Sequence, residues 1–128
     1  MEVSPVAAAP ALPLGLPRAR RIKQGRDFSR AKSDGKRVAQ GCMIVNWLPL
    51  SRGAAPRVGV ITSRKLGNAV ARSRARRLLR ETFRLHQHDL LSPLDLVLVA
   101  RPSIVGKKFG DVENDFLAAL RRAGLLKE

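Results

Sequence analysis

Residues 57–80 read RVGVITSRKLGNAVARSRARRLLR, and this stretch decides how the chain folds. Its beginning, Arg57 to Ser63, is nearly continuous in apolar strand formers, which is typical of a strand at the centre of a sheet. Asn68 is placed to cap the helix that the apolar spacing predicts over residues 69–87. The stretch therefore predicts a strand, a short turn and a long helix in direct succession.

The predicted helix combines a core stripe with a cationic face. At about 100° per residue, Arg76, Arg80 and Arg84 stack on one side of it, with Arg77 beside them. Glu81 is the one acid available to pair with them, so the crowded guanidiniums repel one another unless an anion neutralises them. The pattern favours a polyanion-binding helix over a solvated face. The opposite stripe, predicted to face the core, contains Ala71, Ala75, Leu78, Leu79, Thr82 and Phe83.

The charge of the whole chain points to the same class of partner. Its 128 residues include 25 Lys and Arg against 10 Asp and Glu, a formal net charge of +15. The excess lies within residues 18–84, whereas basic and acidic residues balance over 85–128. Arginine dominates the basic residues, and its planar fork suits bidentate contact with phosphate. This asymmetry favours a face for nucleic acid.

The remaining segments predict one sheet with helices packed on it, an α+β or α/β sandwich. Trp47 is expected in the core because it alternates with Met43 and Val45, with stacking on a base as the alternative. Cys42 is expected to be a small buried residue. The predicted elements are a helix over 25–35, extended chain over 36–50, a hairpin loop over 51–56, strands over 57–63 and 95–101, and a helix over 111–123 that ends at Gly124.

The domain organisation follows from composition. Residues 1–17 are rich in Pro and Ala and predict a disordered tail, residues 18–124 a nucleic-acid-binding domain, and residues 125–128 a C-terminal tail. No stretch has the length of a membrane span. The single cysteine fits a reducing compartment, so a cytoplasmic location is expected.

No catalytic or metal-binding side chains are predicted in this chain. His86 and His88 are interpreted as exposed or capping histidines, because no further ligands follow at helical spacing. The turn Lys65-Leu66-Gly67-Asn68 lacks the spacing of a P-loop, although its backbone N–H groups are placed to hold a phosphate. The acidic residues are scattered and form no pair for acid–base or two-metal chemistry.

With these residues laid out, the chain resembles the protein component of bacterial ribonuclease P. The resemblance runs from about Arg20 to Leu120 and is most specific between Arg57 and Glu81. The Arg-Asn-Arg motif of the family reads Arg72-Ser73-Arg74 here, so a hydroxyl replaces an amide at its centre. Supporting matches are Arg26-Asp27-Phe28 and the strand Asp95-Leu96-Val97-Leu98-Val99-Ala100-Arg101.

The resemblance implies an αβββαβα two-layer sandwich, like the second domain of ribosomal protein S5, with a left-handed β-α-β crossover against the general rule. It also implies an endoribonuclease subunit that matures the 5′ end of tRNA while the RNA subunit carries the catalytic centre and most of the Mg²⁺. The implied partners are that catalytic RNA and precursor tRNA, with no membrane and no required protein partner.

The resemblance assigns RNA contacts residue by residue. Those to the catalytic RNA are Arg64, Lys65, Asn68, Arg72, Ser73, Arg74, Arg76, Arg77 and Arg80. A separate cleft for the 5′ leader of precursor tRNA would contain Phe28, Lys32 and Asn46. The family often has aromatic residues where Lys32 and Asn46 stand, so leader binding here is expected either to depend more on charge than on stacking or to be weaker.

Other functions fit the composition but not the motifs. A small structural RNA-binding protein, such as a ribosomal protein, shares the cationic character, and the Ser63–Glu81 motif argues against it. A helix-turn-helix DNA-binding domain would need a helix where a strand precedes the arginine-rich helix. A protein-only nuclease would need the carboxylate cluster that the sequence lacks.

Overall fold

The structure, a computed structural model, describes residues 21–22, 35–49, 56–91 and 94–127. The predicted tail over 1–17 and the predicted helix over 25–35, except Gly35, lie outside these ranges. So do most of the loop predicted over 51–56 and the predicted leader-cleft residues Phe28 and Lys32.

The described strands form one mixed sheet. They are β1 (Lys36–Gln40), β2 (Met43–Pro49), β3 (Arg57–Ile61) and β4 (Leu94–Ala100), in the order β1-β2-β4-β3. β2 pairs antiparallel with both β1 and β4, and β3 pairs parallel with β4. The central apolar strand is therefore β4, in which every residue except Val99 is buried. The extended chain predicted over 36–50 is a hairpin, β1-β2, turning at Gly41 and Cys42.

Two sequence predictions about β3 are wrong. It lies at the end of the strand order rather than at its centre, and β4 stands between it and β2, so residues 51–56 do not close a hairpin. The apolar pattern wrongly predicted a central position because both faces of β3 are covered, and covered faces give an edge strand the same apolar pattern as a central one. Val58 packs in the main core, while Ile61 packs on the other side of the sheet with Ile22 and Val97. The outer edge of β3 is also used, since the Ile22 N–H donates to the Val58 carbonyl at 2.7 Å.

Two described helices cover one face of the sheet. They are α1 (Ala69–His86) and α2 (Phe109–Ala123), close to the predicted bounds. Leu79 and Phe83 of α1 meet Phe116 of α2 in the main core. Gly124 ends α2 in the left-handed region, with φ of 73°, as predicted from its position.

The core also settles the positions of Trp47 and Cys42. Trp47 is 7% exposed and shares the main core with Met43 and Val45, which confirms its predicted alternation. Cys42 is buried as predicted, and burial raises the pKa of its thiol to about 12, helped by the carboxylate of Asp115. The Cys42 backbone N–H donates to that carboxylate at 3.0 Å, which joins the β1-β2 turn to α2.

The chain after α2 packs back on the body. Leu125 is buried, and its carbonyl accepts a hydrogen bond from the Leu91 N–H at 2.8 Å. The Lys127 N–H donates to the Asp89 carbonyl at 2.8 Å. Among the described residues, no helix is long and apolar enough to cross a membrane.

Candidate nucleic-acid interface

The turn before α1 holds two basic side chains in solvent. Residues Arg64–Leu66 form a single 3₁₀ turn that is anchored at one end by the buried side chain of Leu66. Gly67 follows with φ of 123°, a conformation that favours glycine. The Asn68 side-chain oxygen then accepts from the Ala71 N–H at 2.9 Å, which confirms the predicted helix cap. Arg64 and Lys65 are exposed beside this helix start.

Three arginines of α1 are held by hydrogen bonds within the protein. Arg72 Nη1 donates to the Gly67 carbonyl at 2.9 Å and Arg76 Nη1 to the Thr62 hydroxyl at 2.8 Å. Arg74 Nη2 donates to the Lys107 carbonyl at 2.7 Å, reaching the chain just before α2. A guanidinium has five N–H donors, so each keeps donors for another partner while its direction is fixed. These arginines are therefore preorganised for an anion.

Ser73 contributes to this arrangement. Its hydroxyl accepts a hydrogen bond from Arg76 Nη2 at 3.1 Å, while Arg76 Nη1 binds Thr62. The side chain of Arg76 is thus held between the end of β3 and the first turn of α1. The residue at the centre of the Arg72-Ser73-Arg74 sequence orients a neighbouring cation through its hydroxyl.

Further along α1, two more arginines face outward. Arg77 is exposed and Arg80 is half-buried. Burial lowers the pKa of the Arg80 guanidinium, and the nearby cations Arg21 and Arg76 lower it further. We call Arg72, Arg74, Arg76, Arg77 and Arg80 the arginine face of α1. Like charges are crowded on this face, and an anion placed there would relieve the repulsion.

The one acid on α1 does not neutralise this face. The carboxylate of Glu81 accepts from Arg84 Nε at 2.9 Å and from Nη2 at 2.5 Å. These hydrogen bonds lower the pKa of Glu81 and raise that of Arg84, so the two charges pair with each other. An open depression of about 500 Å³ lies over this part of the helix, lined by Arg21, Arg74, Arg77, Leu78, Arg80, Glu81, Arg84 and Phe109.

Asn46 lies apart from the arginine face. It is 4% exposed and stands opposite Val97 in the sheet register. Val97 packs with Ile22 on the sheet face away from α1 and α2. The structure therefore does not bring the predicted leader-cleft residue Asn46 together with the predicted contacts on α1.

The carboxylates of the described residues have intramolecular partners. Their oxygen atoms therefore do not form a set of ligands that fits Mg²⁺. No group of three or more His, Cys, Asp or Glu side chains is placed to hold a metal ion within the described ranges. Beyond Glu81, the pairs are Asp95 with Arg57, Asp89 and Glu113 with His86, Asp111 with the Lys108 N–H, and Asp115 with the Cys42 N–H.

His86 makes more contacts than the sequence predicted. Its Nε2 lies 2.7 Å from a Glu113 oxygen and its Nδ1 lies 2.9 Å from an Asp89 oxygen, so it links the end of α1 to α2. Burial alone would lower its pKa, but the two carboxylates outweigh that effect and raise it. The histidine has a structural position, away from the arginine face.

Sequence reasoning also missed basic residues between β4 and α2. Lys108 is exposed and Lys107 is half-buried, and the Lys107 carbonyl binds Arg74. The available signal was the pair Lys107-Lys108 directly after Gly106, shortly before the predicted last helix. Its meaning depends on the tertiary contact with α1, which local sequence does not reveal.

The fold and this surface define an α+β protein with a cationic surface on one helix and on the turn before it. Comparison with known families identifies the family. The sequence matches the Ribonuclease P family over residues 16–124, and the chain belongs to that family.

Individual relatives agree with this assignment. The chain is 34% identical over 109 residues to the ribonuclease P protein component of Gluconacetobacter diazotrophicus, covering 84% of this chain and 94% of that protein. It is 32% identical over 111 residues to that of Brevibacillus brevis, covering 87% and 88% of the two chains.

Solved structures of relatives have the same fold. The ribonuclease P protein of Staphylococcus aureus superposes with a TM-score of 0.75 at 28% identity, covering 84% of this chain and 98% of that one. That of Thermotoga maritima superposes with a TM-score of 0.70 at 26% identity, covering 80% and 96%. Family membership assigns this chain an RNA partner and a role in maturing the 5′ end of tRNA.

Proposed function

We propose that the chain is the protein subunit of a ribonuclease P whose catalytic centre lies in the RNA subunit. The observation that carries the proposal is the arginine face of α1, whose guanidiniums are crowded, partly preorganised and not neutralised by Glu81, the one acid on that helix. Such a surface suits the phosphate backbone of a structured RNA, because Arg binds phosphate with paired donors and positions the partner without reading bases.

In this proposal the catalytic RNA contacts the arginine face and the turn before α1. Arg64 and Lys65 bind phosphates from the turn, while Asn68 and Ser73 hold the geometry of the helix start and of Arg76. Arg72, Arg74 and Arg76 use donors that remain after their internal hydrogen bonds. Arg77 and Arg80 contact the RNA further along the helix.

We also propose that the 5′ leader of precursor tRNA binds on the other face of the sheet. Asn46 lies on that face and is separated from the arginine face by the sheet itself. Phe28 and Lys32 belong to the same proposed cleft by family resemblance. One protein then contacts two RNA molecules through opposite sides, which lets it hold the substrate beside the catalytic RNA.

The proposal assigns phosphodiester hydrolysis to Mg²⁺ ions bound mainly by the RNA. The carboxylates of the described residues are engaged with protein partners, so the proposal assigns the described side chains to binding and orienting RNA and assigns them no proton transfer. The work of the protein is to neutralise phosphates that would otherwise repel one another as the RNA subunit folds and the substrate docks. The proposed place of action is the cytoplasm.

The deciding experiment mixes the protein with the catalytic RNA and precursor tRNA at low Mg²⁺ and measures cleavage at the tRNA 5′ end. We expect the protein to enhance cleavage, because its cations replace part of the charge neutralisation that Mg²⁺ provides. A double variant, Arg77→Ala with Arg80→Ala, is expected to lose most of this enhancement. Arg121→Ala, at the far end of α2, serves as the control and is expected to behave like the unmodified protein. Cleavage of precursor tRNA by the protein without any RNA subunit would contradict the proposal.

A further inference from the structure

The segment between β4 and α2 is a tight, well-anchored loop. The 3₁₀ turn Pro102–Ile104 is fixed by Ile104, which is 1% exposed. The Val105 N–H donates to the Pro102 carbonyl at 3.2 Å, and the Lys107 N–H donates to the Ile104 carbonyl at 3.0 Å. Gly106, with φ of 87°, makes the change of direction that a side chain would disfavour. The residues after it have a fixed position at the surface.

This loop lies directly beside the proposed RNA contacts. Arg74 Nη2 donates to the Lys107 carbonyl at 2.7 Å, although 33 residues separate the two in sequence. The 3₁₀ turn before α1 contacts the 3₁₀ turn Pro102–Ile104. A small cavity of about 80 Å³ between the loop and α1 is lined by Ala71, Arg74, Ala75, Ile104, Val105 and Gly106. The loop, the arginine face and the turn before α1 therefore form one continuous surface.

The loop adds cations to that surface. Neither the Lys107 nor the Lys108 ammonium group has an ion-pair partner among the residues that the structure describes. Asp111 accepts from the Lys108 N–H and Asp115 from the Cys42 N–H, and Lys107 lies close enough to the Cys42 thiol for its charge to lower the pKa of that thiol slightly. Val105 at the tip of the loop is 52% exposed. Neither ammonium group is therefore neutralised by a carboxylate of the described residues, and Lys108 is the more exposed of the two.

We propose that the loop Val105–Lys108 is a second contact with the phosphate backbone of the same RNA that binds α1, and that Arg74 is a positioning residue for it. Lys107 and Lys108 bind phosphates. The Arg74 guanidinium holds the loop beside the arginine face by its hydrogen bond to the Lys107 carbonyl. The proposal rests on the proposed function, because the partner is the catalytic RNA of that complex.

A double-mutant cycle on the full chain tests the proposal. Its sides are Arg74→Ala and the paired change Lys107→Ala with Lys108→Ala, and its readouts are the affinity for the catalytic RNA and the slope of log affinity against log salt. Each phosphate contact contributes roughly 0.7 to 0.9 to that slope, so losing both lysines is expected to reduce it by about 1.5. Arg74→Ala is expected to weaken binding at least about tenfold in the natural background and about threefold or less without the lysines.

The controls separate charge, folding and position. Arg121→Ala with Lys127→Ala removes two exposed cations elsewhere and is expected to leave the slope unchanged. Arg74→Gln keeps an N–H donor without the charge and is expected to retain more affinity than Arg74→Ala. Urea unfolding of every variant checks that each one folds.

Three outcomes would overturn the proposal or part of it. An unchanged slope without Lys107 and Lys108 would show that the loop does not contact the RNA. Additive effects in the cycle would show that Arg74 acts independently of the loop. If the natural protein binds the catalytic RNA, either of these two results overturns this inference only. If the natural protein does not bind the catalytic RNA, the proposed function is overturned as well.

Discussion

The guanidinium of Arg57 donates two hydrogen bonds to the carboxylate of Asp95, from Nε at 2.8 Å and from Nη2 at 2.6 Å. The two residues stand opposite each other where the parallel strands β3 and β4 begin. The Asp95 side chain is 5% exposed, so its charge is compensated by a fixed partner rather than by water. The pair fixes the register of the strand that leads into α1.

Replacing Arg57 tests how much this pair stabilises the sheet. Arg57→Ala leaves a buried carboxylate without its bidentate partner and is expected to reduce the free energy of unfolding by about 2–4 kcal/mol. Urea unfolding followed by circular dichroism measures the change. Arg121→Ala, which removes an exposed arginine, is expected to change stability by about 0.5 kcal/mol or less. Equal effects of the two substitutions would mean that the pair contributes no more than a surface contact.

His86 makes the stability of the protein depend on pH. Its carboxylate partners Glu113 and Asp89 raise its pKa in the folded state, so the folded protein binds the proton more tightly than the unfolded chain does. The stabilisation is complete below the unfolded pKa and is lost as the pH rises through the folded pKa. The free energy of unfolding is therefore expected to fall as the pH rises from about 6.5, the ordinary pKa of a histidine, through the higher pKa of His86 in the folded state.

Two histidine variants isolate this effect. His86→Gln is expected to remove most of the pH dependence, and His88→Gln is expected to keep it. An NMR titration of the imidazole resonances provides a direct check, with the His86 midpoint above that of a histidine in the unfolded chain. A His86 midpoint at or below the unfolded value would contradict the prediction.

Gly41 is expected to resist substitution for two separable reasons. Its φ of 55° is costly for a residue with a side chain, and a Cβ at this position would collide with the carboxylate of Asp115. Gly124 has a similar φ, of 73°, but open space around its missing Cβ. Gly124→Ala is expected to cost about 1–2 kcal/mol of backbone strain. Gly41→Ala is expected to cost about 1–3 kcal/mol more, because the clash displaces the acceptor of the Cys42 N–H. Equal losses in urea unfolding would rule out the steric part.

The arginines of α1 are expected to divide into two groups in their effects on stability. Arg72, Arg74 and Arg76 make internal hydrogen bonds, so alanine at each is expected to lower stability by about 0.5–1.5 kcal/mol and also to weaken RNA binding. Arg77 is exposed, so Arg77→Ala is expected to leave stability within about 0.5 kcal/mol and to reduce the salt slope of RNA binding by roughly 0.7 to 0.9. Urea unfolding and RNA titrations at several salt concentrations measure both properties, and an Arg77 variant with an unchanged slope would contradict the assignment.

The local features of the fold were predictable from the sequence. The helix α1, its cap at Asn68, the stop of α2 at Gly124 and the burial of Trp47 each depend on neighbouring residues and helical or strand spacing. The order of the strands was not predictable in the same way. An apolar run such as Val58–Ile61 predicts that both faces of the strand are covered. It does not reveal whether the strand has a neighbouring strand on both edges or on one edge.

The site shows the same limit. Helical spacing predicted that Arg76, Arg80 and Arg84 share a side of α1. Arg76 does lie close enough to Arg80 to lower its pKa, whereas Arg84 pairs with Glu81. The spacing did not reveal that Arg74 reaches the Lys107 carbonyl or that Arg76 binds Thr62 and Ser73, because those contacts depend on where distant segments pack. For the same reason Lys107 and Lys108 had no apparent role in the sequence.

Burial and the nearby cations Arg21 and Arg76 lower the pKa of Arg80, so repulsion between guanidiniums on α1 is expected to oppose folding until an anion neutralises them. A partner that binds only the folded state and supplies phosphates removes this repulsion, so it stabilises the native protein by mass action. In thermodynamic terms the RNA is then a ligand whose binding shifts the folding equilibrium of this protein toward the native state. We therefore expect the share of folded chains to rise with the supply of RNA, and chains made in excess of the RNA to be the most exposed to proteolysis.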